Sequence, residues 1–195
     1  MLTLIIGGAR SGKSDLAQRL AAGAPSGVLF IATMLPGDDE TRRRVAAHRA
    51  ARPASWTTIE APDDPGAAIE AHAAAGTCVV IDCLTLWTSN LLLAAAGEGT
   101  DVPADRGAAA VAGIVRRGAA LADRAAAHDG DVIAVTNEVG LGVVPATPLG
   151  RLFQDALGGV NRAFARRAGR VYSLTAGLAL DVTELGARPL ETLGG

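Results

Sequence analysis

The chain has 195 residues, a formal net charge of −2, 49% hydrophobic residues and only 3% aromatic ones. That length suits one domain spanning residues 1–195, with a core built from Val, Leu, Ile and Ala. The charge balance argues against a general nucleic-acid binder, which carries a basic excess. No run reaches the roughly 20 apolar residues of a membrane span, and the apolar opening MLTLIIGG lacks the basic region of a secretory leader.

Short apolar runs alternate with Ala-rich stretches. The runs LTLII (2–6), VLFIAT (28–33), TCVVID (77–82), DVIAVT (131–136) and VYSLTA (171–176) predict strands, with WTTIE (56–60) a more marginal one. Because these runs are continuous rather than alternating, both sheet faces are expected to be covered. The predicted class is α/β, a mostly parallel sheet flanked by helices. Helices are expected at about 13–22, 39–51, 84–95, 107–127, 149–157 and 159–167. Residues 94–110, punctuated by Gly and Pro, read as a surface loop, and the tail 183–195 as loosely ordered. Cys78 and Cys83 fit neither a zinc site nor a disulfide framework, so buried thiols in a reducing cytoplasm are expected.

Of the 18 Lys plus Arg residues, 17 are arginine and Lys13 is the lone lysine. A composition that favours arginine this strongly keeps lysine where a guanidinium will not serve. Lys13 belongs to GGARSGKS, which matches G-x-x-x-x-G-K-[ST] directly after a predicted strand and before a predicted helix. Gly7, Gly8, Ala9, Arg10, Ser11 and Gly12 form a loop able to curl around phosphate oxygens at a helix N-terminus. Lys13 offers a compact charge to the β- and γ-phosphates, and Ser14 a hydroxyl to Mg²⁺. The plain alternative is a chance match in a Gly-rich chain. TCVVID ends in Asp82, the expected Mg²⁺-side carboxylate, although an Asp there also suits a simple strand end or helix cap.

The block ETRRRVAAHRAARPASW (40–56) surrounds His48 with arginines. Gly37 to Glu40 suit a helix start, and helical spacing puts Arg44 and His48 on one face. Pro53 should end the helix, with Arg49 and Arg52 flanking His48. Positive neighbours disfavour imidazolium, and a neutral ring is a nucleophile able to attack a nucleotide α-phosphorus. An ordinary solvated basic face is the competing explanation. In TNEVGLGVVP, Asn137 and Glu138 end a strand, and Gly140 and Gly142 permit an unusual loop. Strand C-terminal ends border ligand crevices, so substrate- or product-side binding rather than catalysis is expected there, with a polar strand end and tight turn as the plain alternative. His72 and His128 lack such surroundings and are given no role.

Together, GGARSGKS, DETRRRVAAHRAARPASWTTIE (39–60), IDCLTLWTSNLL (81–92) and VTNEVGLGVVPATPLGRLFQDALGGVNRAFA (135–165) resemble the bifunctional adenosylcobinamide kinase/adenosylcobinamide-phosphate guanylyltransferase family. The resemblance implies a RecA-like P-loop architecture. It implies phosphorylation of adenosylcobinamide by ATP or GTP, then GMP transfer from GTP through a guanylylated His48 with release of pyrophosphate. It also implies nucleotide contacts at Gly7–Ser14, Ala32, Thr33, Met34, Arg49, Ala50, Ala51, Arg52, Glu60 and Asp82, with Mg²⁺ at Ser14 and Asp82. A homo-oligomer, in the form of a trimer, is implied as well.

This chain departs from the family pattern at Gln154-Asp155 and Asn161-Arg162, where Arg-Asp and Asn-Gln are expected. It also reads GLALDV (177–182) in place of a proline-containing end. These positions fall outside the nucleotide motifs and bear on corrinoid contacts and the C-terminal segment. Another small-molecule P-loop kinase, without a covalent intermediate, is one rival. A non-catalytic nucleotide-dependent binding module is the other.

Overall fold

The computed structural model describes residues 1–35, 52–97 and 102–192. Among them, seven strands form one sheet: β1 (Leu2–Gly7), β2 (Val28–Ala32), β3 (Thr57–Glu60), β4 (Cys78–Asp82), β5 (Val132–Asn137), β6 (Arg170–Thr175) and β7 (Leu178–Asp181). Their order is β3-β2-β4-β5-β1-β6-β7; all neighbours are parallel except β7, which runs antiparallel to β6. The helices are α1 (Lys13–Ala21), α2 (Pro65–His72), α3 (Leu84–Ala96), α4 (Ala104–Ala127) and α5 (Pro148–Arg167).

The strand pleat sorts the apolar runs onto two faces. Ile5, Phe30, Val80, Val135 and Leu174 face α1, where Ala17 and Ala21 pack. Leu4, Ile31, Val79, Ile81 and Ala134 face the opposite layer, with Trp87, Leu121, Val160 and Phe164 from α3, α4 and α5. Covering both faces accounts for the unbroken apolar character of the central strands.

The six predicted strands form within one or two residues of their expected ends. β7 was not predicted; it is a short edge strand whose Leu178 and Leu180 are exposed. Helix α2 was also unpredicted, although Asp64 caps it by accepting from the Ala67 N–H at 3.0 Å and Pro65 occupies its first turn. α4 begins three residues before the expected 107, taking in part of the segment read as a loop. The tail is tied down through residue 192: Asp181 accepts from the Thr183 and Glu184 N–H groups at 3.1 Å, and Arg166 pairs with Glu191. The helix expected at 39–51, residues 98–101 of the expected loop and residues 193–195 of the tail lie outside the described residues.

The two helices expected at 149–157 and 159–167 are one, α5, running unbroken through Gly158 and Gly159. Packing explains why. A Cβ on Gly159 would lie 2.4 Å from a Val115 methyl, so the glycine is what lets α4 and α5 approach. Gly158 has nothing within 4 Å of the same construction. Gly159→Ala should therefore destabilise the protein by about 1–3 kcal/mol through overpacking. Gly158→Ala should be neutral or stabilise it by up to about 1 kcal/mol through helix propensity. Urea unfolding of the two neighbouring variants measures the contrast, and equal effects would refute it.

Candidate nucleotide site at the strand ends

The phosphate loop leaves the C-terminal end of β1 and enters α1. Gly7 pairs with Asn137 on one side and Leu174 on the other, so close that a Cβ there would lie 2.4 Å from the Leu174 carbonyl oxygen. The turn then uses left-handed backbone at Arg10 (φ 57°) and Gly12 (φ 93°), the latter immediately before the first helical residue. Lys13 folds back and donates from Nζ to the Gly8 carbonyl at 2.6 Å. It is 8% exposed. Burial holds its pKa below the usual lysine value, partly opposed by Cys83 and Asp82. The Ser11 hydroxyl is buried, with no hydrogen-bond partner among the described residues. A cavity of about 550 Å³ opens over Arg10–Asp15.

Ala176 and Gly177, in the β6–β7 turn, form the other wall of this cavity, and the Gly177 N–H donates to the Ser11 carbonyl at 3.1 Å. Ala176 has φ 51° and Gly177 φ 81°, a turn that favours glycine. Gly177, the first residue of GLALDV, thus touches the phosphate loop, whereas Ala179, where a GLPL-like end would place proline, lies in β7. No local motif announced this contact; the β6–β7 hairpin creates it.

Asp82 ends β4, two strands from β1, with β5 between them. It follows Cys78 and Val80 on the α1 side of the sheet, and Lys13 feels its charge. Ala32 and Glu60 stand level with it, Ala32 pairing with Asp82 across β2–β4 and with Glu60 across β2–β3. Glu60 is exposed and Ala32 half-buried. Arg52 lies over Phe30, its guanidinium carbon 3.4 Å from the ring centroid, on the same side of the sheet. The structure thus gathers Gly7–Ser14, Ala32–Met34, Arg52, Glu60 and Asp82 along one edge. His48, Arg49, Ala50 and Ala51 lie outside the described residues.

Thr33 is fully buried and braces this edge. Its hydroxyl donates to the Cys83 carbonyl at 2.7 Å and accepts from the Cys83 N–H at 2.8 Å; its carbonyl accepts from the Asn90 amide at 2.8 Å. A second brace holds the end of β5. Asn161 accepts from Thr136 at 2.7 Å and donates to the Asn137 carbonyl at 3.0 Å, while the Asn137 N–H donates to Thr85 at 2.7 Å. Gln154 donates to the Val139 carbonyl at 3.0 Å, and the Glu138 N–H to the Gly7 carbonyl at 3.1 Å. Asn90, Thr85 and Thr136 were not singled out in the sequence; polar residues inside apolar runs were the available signal. Beyond Glu138, Leu141 and Val143 are over 90% exposed, and neither Gly140 nor Gly142 has positive φ, so left-handed backbone does not shape that loop. His128, without a role in sequence, hydrogen-bonds to the Thr77 carbonyl at 2.8 Å.

A glycine loop between a parallel strand and a helix, with a buried lysine facing the carboxylate of another strand, defines a P-loop nucleotide-binding protein. The sequence profile described as cobinamide kinase / cobinamide phosphate guanyltransferase matches residues 3–182. The chain belongs to this family, whose members act as bifunctional transferases of adenosylcobalamin biosynthesis. It is 43% identical over 182 residues to the bifunctional adenosylcobalamin biosynthesis protein CobP of Pseudomonas aeruginosa, covering 93% of this chain and 97% of that one. It is 37% identical over 184 residues to the corresponding protein CobU of Salmonella typhimurium, covering 93% and 99%. Among solved structures, a prototypical ATPase of a bacterial type III secretion system superposes with TM-score 0.47 and 16% identity, over 97% of this chain and 59% of that one.

Burial pushes the Cys78 thiol up to about 11, and burial together with the Asp82 charge does the same to Cys83. With pKa values that high, only about one thiol in a thousand is ionised at pH 8. Iodoacetamide at pH 8 should therefore modify both cysteines slowly in the native protein and rapidly after denaturation. Mass spectrometry of each peptide checks this; prompt native labelling of Cys83 would contradict it.

Proposed function

We propose that residues 1–195 form one catalytic domain that carries out two phosphorus-transfer reactions on a nucleotide held at the phosphate loop. In the first, the aminopropanol hydroxyl of adenosylcobinamide attacks the γ-phosphorus of ATP or GTP and the nucleoside diphosphate leaves. In the second, a neutral His48 nitrogen attacks the α-phosphorus of GTP, pyrophosphate leaves, and GMP is held as a phosphoramidate. The phosphate oxygen of adenosylcobinamide phosphate then attacks that phosphorus, forming adenosylcobinamide-GDP and freeing His48. The observation that carries this reading is the buried Lys13, set beside the backbone of Gly7–Gly12 and within the field of Asp82.

Gly7–Ser14 receive the phosphates through backbone N–H groups and the Lys13 charge. Ala32, Thr33, Met34, Arg49, Ala50, Ala51, Arg52 and Glu60 contact the remainder of the nucleotide. Ser14 and Asp82 offer a hydroxyl and a carboxylate oxygen, hard donors suited to Mg²⁺ completed by phosphate oxygens and water. Bound there, Mg²⁺ would neutralise charge on the phosphates. Arg49 and Arg52 draw the triphosphate toward His48 and disfavour its protonation. The protein works in the cytoplasm on small molecules, not nucleic acid, and assembles as a homotrimer; the family resemblance supports the trimer. Among the described residues no helix is long and apolar enough to cross a membrane.

Incubation with α-labelled GTP followed by denaturing electrophoresis tests the covalent step. The wild type should carry label that mild acid releases and alkali leaves in place, as a phosphoramidate requires. His48→Ala should lose the label and GMP transfer yet still form adenosylcobinamide phosphate. Label that persists in His48→Ala, or resists acid, would return the protein to the ordinary P-loop kinases.

Asp82→Asn keeps the shape of the strand end but removes the charge. It should lower Mg²⁺-dependent activity at least tenfold, on the order expected for a lost metal-side carboxylate, and shift the Mg²⁺ titration to higher concentration. An unchanged titration would make Asp82 a helix-end residue only.

A further inference from the structure

On the sheet face opposite α1, α5 does not reach across β6, and a groove of about 480 Å³ runs between them. Ile6 and Val171 form an apolar floor, while Glu138, Asp155 and Arg162 stand along the wall. One end of the groove meets the phosphate loop: Ile6 precedes Gly7, and the Glu138 N–H donates to the Gly7 carbonyl at 3.1 Å. The route from groove to loop passes Gly8, which is exposed and has nothing within 4 Å of where a Cβ would stand. We propose that this groove between α5 and β6 is the binding site for the corrinoid acceptor, whose hydroxyl-bearing arm crosses Gly7–Gly8 to reach the nucleotide. The proposal rests on the two-reaction reading above.

The lining chemistry selects the occupant. A strongly charged ligand would meet opposition on this wall, because carboxylates and a guanidinium share it. A ligand fringed with neutral amides fits both, since Glu138 and Asp155 accept from amide N–H groups and Arg162 donates to amide carbonyls. Cobinamide is a macrocycle with amide side chains around an apolar ring edge, and one of those chains ends in the hydroxyl to be phosphorylated. The groove is smaller than the ring, so it seats an edge and leaves the rest in solvent. Arg162 is one of the positions where this chain departs from its family pattern, so its contact would distinguish this enzyme's acceptor preference.

Gly158 lines the groove from α5, and a Cβ built there meets nothing within 4 Å. Gly158→Trp places an indole at the groove wall from a position whose Cβ has open space around it. It should raise the KM for cobinamide roughly tenfold or more, while the KM for nucleotide and the yield of GMP-labelled protein stay at wild-type values. Arg162→Gln should raise the cobinamide KM several-fold with the same selectivity, and a thermal melt establishes that both variants fold. An unchanged cobinamide KM in both variants would overturn the groove as the acceptor site while leaving the two-reaction reading intact. A changed sedimentation coefficient in Gly158→Trp, without a change in KM, would assign the groove to contact between copies and also overturn it. If the wild type forms GMP-labelled protein but neither binds nor phosphorylates cobinamide, the reading above fails and this site falls with it.

Discussion

Burying the Lys13 ammonium at the C-terminal edge of the sheet is the constraint around which the rest of the structure is arranged. Burial disfavours its charge, and the Gly8 carbonyl, 2.6 Å away, together with the field of Asp82, compensates in part. An ammonium already stripped of much of its water attracts a phosphate more strongly than a solvated one would. Holding it there requires a loop with no side chains in its path. Gly7 must lie against the Leu174 carbonyl, Gly12 must take left-handed backbone, and the β6–β7 turn must close over Ser11. The first depends on β1 pairing with β6 and the last on β6 turning into β7, so the site exists only once that side of the sheet has formed.

The same edge needs a rigid frame, because a parallel sheet ends in unpaired backbone groups. Thr33 ties the end of β2 to Cys83, and Asn161 ties the end of β5 to α5. These polar side chains are buried, where an unmade hydrogen bond would cost about 1–3 kcal/mol, so the bonds fix geometry more than they add stability. Asp82 is thereby held level with Val135, and Gly7 level with Asn137 two residues further along β5. Helix packing extends the frame: Gly159 lets α5 sit close against α4, and that position presents Asn161 and Gln154 to the strand ends.

Much of this was legible along the chain because the informative signals are local. Buried parallel strands leave continuous apolar runs, and the phosphate loop carries its mechanism in eight consecutive residues. Asp82 could be picked out because it ends such a run. Elements set by tertiary packing were hidden. Gly158-Gly159 reads as a helix break, yet the approach of Val115 makes glycine necessary inside α5. β7 is four residues long and half of it is exposed leucine, so neither length nor periodicity marks it. The contact of Gly177 with Ser11 joins residues that are distant in sequence and carry no shared motif. The role of Asn161 as a brace depends on which carbonyl happens to lie beside it. The weight placed on His48 came from family resemblance, since an arginine-rich run alone is more often a solvated face.

Strand order sets the proposed acceptor groove apart from the β2–β3 side of the sheet. β2 and β3, the strands on either side of the segment that includes residue 48, are separated from the phosphate-loop strand β1 by β4 and β5. The proposed acceptor groove lies at β6, on the other side of β1. The two proposed attacks on a triphosphate held at Lys13 differ in direction. In-line displacement requires each attacking atom to lie opposite its own leaving group. For the γ-phosphorus the leaving group is the rest of the nucleotide, and for the α-phosphorus it is pyrophosphate, so the two attacks point in opposite senses along the phosphate chain. A phosphate loop on an interior strand has neighbouring strands on both sides, as two opposed approaches require.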